Sequence, residues 1–239
     1  MMVFTRSREF PLKGGIRPSS VDSGTCLTAM PSGFRFKGKR EGLVMNQEIV
    51  GIGVLKGGAY DTVVLQGIGA ALETLNVHTL RIQGIFKGKE VRQATEITME
   101  GEARITRCDF ADRLLMRGQV RIIGLGSDAS SLIGEGEVTA DRLQIGRFHL
   151  CGNCRIRSLQ ASEIQISNPP PSAKEKDSVI DEVVCDTLTA YRLKAKKVTA
   201  QHVELRGECE IDTLICPSVT VSGPECVIRH PIQDMGAES

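Results

Sequence analysis

The sequence predicts an all-β protein of the solenoid class, a triangular parallel β-helix preceded by a flexible basic arm. Three observations carry this. Glycines recur at a 17-residue spacing, apolar pairs recur every five residues, and the chain has no Trp, two Tyr and seven Phe, so its core is built from small and β-branched side chains.

Residues 1–44 stand apart from the rest. They hold Phe4, Phe10, Phe34 and Phe36, eight Lys or Arg and three acidic residues, and Pro11, Pro18 and Pro31 interrupt any period. This composition predicts a flexible basic arm. Its cations and phenylalanines make an anionic membrane surface its expected partner, since each cation near such a surface contributes about 1 kcal/mol and inserted aromatics add apolar burial. Liposome co-sedimentation with and without residues 1–44 tests this: equal pelleting with anionic vesicles would remove the membrane role.

From Met45 the pattern changes. Leu65, Ile82, Met99 and Met116 each stand two residues before a glycine, at Gly67, Gly84, Gly101 and Gly118, and successive members are 17 apart. The series continues through Leu150/Gly152, Leu205/Gly207 and Val221/Gly223, and the text after the glycine recurs as GEARI, GQVRI, GNCRI and GECEI. A β-helix is expected over 45–167. Residues 168–178, NPPPSAKEKDS, read as an inserted proline-rich loop.

The second period is clearest over 179–228. Val183/Cys185, Leu188/Ala190, Leu193/Ala195, Val198/Ala200 and Val203/Leu205 place apolar residues at i and i+2, with two polar residues between pairs. Residues at i and i+2 share one face of a strand, and the polar pair turns a corner. Three such sides make one winding. About ten windings at roughly 4.8 Å each predict a rod on the order of 50 Å long, with 179–228 continuing the same axis and 229–239 forming a tail. A helix would need apolar residues at i, i+3, i+4 and i+7, which these segments lack.

The stretch 51–84, GIGVLKGGAYDTVVLQGIGAALETLNVHTLRIQG, resembles the opening of shorter bactofilins, a family of bacterial cytoskeletal polymers. The likeness lies in Gly57, Gly58 and Tyr60, followed by Val63, Leu65, Gly67 and Gly69. It implies a right-handed β-helix, polymerisation through the rod ends without nucleotide, and association with the inner face of the membrane. Self-association is thus the expected partnership, alongside client proteins that the sequence does not name. The long arm and the proline-rich interruption depart from the family's usual plan.

Neither end shows a capping helix, which makes the end windings the candidate polymer interface: Val63 and Leu65 at the start, and Val219, Val221, Val227 and Ile228 at the finish. Other chemistry finds little support. Cys151 and Cys154 have CxxC spacing, but Cys154 occupies the inward slot of Ala103, Val120 and Cys209, while Cys151 has outward parity. Cys108, Cys185 and Cys216 also fall in apolar slots. His78, His149, His202 and His230 fall at corners, outward positions or the tail, with no carboxylate at winding spacing, so no catalytic residue, metal or cofactor is expected.

Lys and Arg total 30 against 29 Asp and Glu, which argues against nucleic acid as a partner. No run approaches about 18 apolar residues, and the opening MMVFTRSREF lacks a secretory apolar segment, so a cytoplasmic protein is expected, peripheral on the membrane's inner face. Two alternatives use a similar repeat. A monomeric β-helical binding scaffold differs only in assembly state, and a left-handed β-helix acyltransferase would need a six-residue period.

Overall fold

The computed structural model describes residues 45–168, 176–223 and 226–232. They form an all-β parallel solenoid of about ten windings. Its strands are β1 (Met45–Leu55), β2 (Gly58–Ser167), β3 (Ser178–Tyr191), β4 (Leu193–Thr199), β5 (His202–Arg206), β6 (Cys209–Ile215), β7 (Ser218–Ser222) and β8 (Cys226–Ile232). The 110 residues of β2 are extended backbone that winds repeatedly and stacks on itself. Pairing between the strands is parallel throughout.

The register gives the length of a winding. Ser178 pairs with Leu193, Lys194 with Glu210 and Cys209 with Cys226, so one circuit takes 15 to 17 residues. Within a circuit the buried positions follow the five-residue period: Leu193, Ala195, Val198, Ala200, Val203 and Leu205 all face inward. Each pair is one side of the triangle, and the exposed residues Lys196 and Lys197 mark a corner inside β4. No single side could bury its own apolar face. Stacking does so, because every side lies between the same sides of its neighbours and both backbone edges find partners.

Arg155 pairs with Val179 and Ile166 with Ala190. The chain therefore leaves the column after β2 and re-enters it at β3 on the side it left. One axis carries the windings before and after the proline-rich segment.

The recurrent glycines form a ladder at one corner. Gly67, Gly84, Gly101, Gly118, Gly136 and Gly152 have φ between +123° and +149°, and a Cβ on any of them would lie 2.0–2.3 Å from the carbonyl oxygen of the glycine one winding earlier. Only a residue without a side chain fits so close to the preceding backbone at such a φ. Here the 17-residue text period has its physical cause.

Beyond the loop the corner changes character, and Arg192 occupies it at φ +53°. Its amide donates to the Arg206 carbonyl, and its own carbonyl accepts from Ser178. The guanidinium reaches Asp177 at 3.2 Å and Glu208 at 2.9 Å, and Lys194 lies 2.9 Å from Asp177. Lys194, and after it Arg192, hold the Asp177 carboxyl below its ordinary value. A depressed carboxyl pKa stabilises the fold above the unfolded value, near 3.9, and that contribution is lost as pH falls through the folded value. Asp177→Asn is expected to cost about 1 kcal/mol at neutral pH, with the difference from wild type closing below about pH 4. Denaturant melts at both pH values check it, and a cost that persists in acid would dismiss the ion pairs as its cause.

Candidate functional site

A solenoid leaves two places where backbone and core lack a neighbour, its first and last windings. At the start, β1 pairs with β2 along one edge, and no described residue pairs with the other. The expected end residues lie one winding further in. Val63 and Leu65 pair with Gln47 and Ile49 of β1 and are fully buried, so they belong to the core and not to an end surface. The glycine-rich lead is itself a winding. The signal was present in the sequence, since Gly51 stands 16 residues before Gly67 and pairs with it.

Ile49 and Tyr60 pack against the core from this side, and the Tyr60 hydroxyl donates to the Lys56 carbonyl at 2.9 Å. The outward residues of β1 are apolar: Val50, Ile52 and Val54 are 71%, 84% and 62% exposed. Ile52 pairs with Ile68, and Ile85 follows in the same slot one winding on. Each of these isoleucines directly follows a ladder glycine, a recurrence legible in the sequence but overlooked as an outer face.

At the other end, β7 pairs only with β5 and β8 only with β6 among the described residues. Val219 and Val221 lie over Val203 and Leu205, which are buried, yet they are themselves 41% and 46% exposed. They continue the inward-facing column, and no described residue covers them. Ile228 lies over Ile211 and packs partly against the core, whereas Val227 lies over Glu210 and is 53% exposed. The four expected residues of this end therefore do share the last winding, three of them exposed and Ile228 half-buried. Phe4, Phe10, Phe34 and Phe36 lie outside the described residues.

The side of the solenoid carries little organised chemistry. Cys108, Cys154, Cys185, Cys209 and Cys216 are buried. Burial pushes the Cys154 and Cys185 thiols up to about 12, so neither is a ready thiolate. Cys151 is half-buried and donates to the Asn168 carbonyl at 3.0 Å. Among the described residues no three His, Cys, Asp or Glu side chains group as metal ligands.

One sequence expectation fails here. His149 does have a carboxylate in the next winding: its Nε2 lies 3.1 Å from Glu163 Oε1, though out of line for a hydrogen bond. Arg147 lies 3.7 Å from the same carboxylate, beside a shallow polar groove that Asp112, Ser131 and Asp186 also line. The Ser131 hydroxyl donates to the Asp112 carbonyl, away from the imidazole, so the groove holds charge without a nucleophile and base in contact.

No family model, no curated protein and no solved structure matches this chain.

Proposed function

We propose that this chain is a structural protein that assembles end to end into filaments without nucleotide, acting as a scaffold. The observation that carries the reading is the pair Val219 and Val221, which continue the core column yet stand 41% and 46% exposed at an unpaired strand edge. A second copy placed with β1 on β7 and β8 would extend the parallel ladder and cover both valines. The two ends differ, so the contact is heterologous and does not close on itself, and repetition gives an open filament.

Magnitudes support a contact made by the whole winding. Association costs on the order of 4–15 kcal/mol of lost freedom, whereas full burial of one Val side chain contributes about 1.5–3 kcal/mol. Two valines alone fall short. A winding of edge strands adds backbone hydrogen bonds and the covering of Ile49 and Ile228, and the sum reaches the required range only if the copies stack in register.

Electron microscopy and sedimentation of the purified chain in EDTA, without nucleotide, test the reading. Filaments are expected, and Val219→Lys combined with Val221→Lys should leave a folded, non-sedimenting monomer. A wild-type chain that stays monomeric at high concentration would replace the filament by a monomeric binding scaffold. In that case the outward Ile52, Ile68 and Ile85 are the first place to look for its partner.

A further inference from the structure

Cys209 and Cys226 are register partners in successive windings. Cys209 is 2% exposed in an inward slot, and Cys226 lies half-buried against the core in the last described winding. Register partners on parallel strands have Cα atoms about 4.8 Å apart, inside the range of roughly 4.4–6.8 Å that a disulfide spans. The thiols are within hydrogen-bonding reach of each other, and Cys226 Sγ also donates to the Gly207 carbonyl at 3.0 Å. Burial is the largest cause that raises the Cys209 thiol, with the neighbouring Cys226 adding to it. No other register pair printed between successive strands joins two cysteines.

We propose that Cys209 and Cys226 form a reversible dithiol site that reacts with low-molecular-weight disulfides and staples β8 to β6. Cys226, the more accessible thiol, attacks as its thiolate on one sulfur of a small disulfide R–S–S–R. A mixed disulfide forms on Cys226, and one R–S⁻ leaves and takes up a proton. Cys209 then gives up its proton and attacks Cys226 Sγ, expelling the second R–S⁻, which is protonated in turn. Two protein thiols are oxidised to one disulfide, and one small disulfide is reduced to two thiols.

The buried Cys209 is a poor first nucleophile but is held against the sulfur it must attack, which suits the resolving role. Closure ties the last described winding to a fully packed one, where otherwise β8 has a strand on one side only. This site does not depend on filament assembly.

Glutathione disulfide is the probe, applied to the full chain, with free thiols then alkylated. Cleavage at Glu210, Asp212 and Glu225 puts Cys209, Cys216 and Cys226 on separate peptides, so the linkage can be read by mass. The expected product joins the Cys209 and Cys226 peptides and is reversed by dithiothreitol. Amide exchange in β8 should slow by roughly tenfold or more on oxidation. In Cys209→Ser, glutathione should remain trapped on Cys226. Should that variant fold poorly, Cys226→Ser must leave Cys209 unmodified in otherwise native protein. Glutathione accumulating on Cys226 of the wild type without the crosslink would overturn the proposal, as would pairing of either cysteine with Cys151 or Cys216.

Discussion

Gly118→Ala should unfold the middle of the solenoid or lower its stability by at least about 4 kcal/mol, among the largest single-residue effects in the chain. A Cβ there would lie 2.2 Å from the Gly101 carbonyl oxygen and 3.0 Å from its carbon, at φ +126°. No rotamer relieves that clash, because both partners are backbone. The two windings would have to separate at the corner, and the windings above would lose the template on which they stack. For a domain of this size the change corresponds to a fall of roughly 8–16 °C in Tm. Gly51→Ala is the control. It shares the ladder and has φ +98°, but its added Cβ would meet nothing within 4 Å, so only backbone strain of about 1–3 kcal/mol is expected. Melts of both variants at matched concentration separate strain from close approach. Equal losses would mean that stacking at the corner is not what the glycines serve.

Phe86→Ala should cost about 3–5 kcal/mol, because the ring fills space that its neighbours leave empty. Phe86 is fully buried and, with Phe148, is one of the two largest such side chains. The same slot holds Gly69 one winding earlier and Ala103 one winding later. Within its own winding, a Cβ on Gly88 would lie 2.8 Å from the Phe86 ring. The missing side chains and the ring are therefore one packing unit. Gly88→Ala alone is expected to destabilise by overpacking, and Phe86→Leu with Gly88→Ala should recover part of that loss, giving a coupling of about 1 kcal/mol or more. Strictly additive melting changes would show that Gly88 answers to something other than the ring.

The outer surface was harder to read than the core. Inward slots obey a local rule, apolar at i and i+2 with corners between, and Leu193 to Leu205 follow it without interruption. Outward residues obey no such rule, and their meaning depends on what stands 15 to 18 residues away. Slippage of one or two residues hides that neighbour, and so Glu163 was not seen beside His149. Arg192 escaped notice for a related reason, since it takes a corner at positive φ and is tied to Asp177 and Glu208 by ion pairs.

The sequence by itself determined the winding rule: the parity that buries Val, Ile, Leu and Cys, and the glycines that let one corner approach the next. These are properties of a few adjacent residues, and every winding repeats them. Tertiary structure alone decided the register. It placed β1 over Val63 and Leu65, returned β3 to the column that β2 had left, and set Cys226 on Cys209. The physical reason is that register accumulates over windings of unequal length. Which residues meet, and which winding is left uncovered, is fixed only when the whole stack closes its backbone hydrogen bonds.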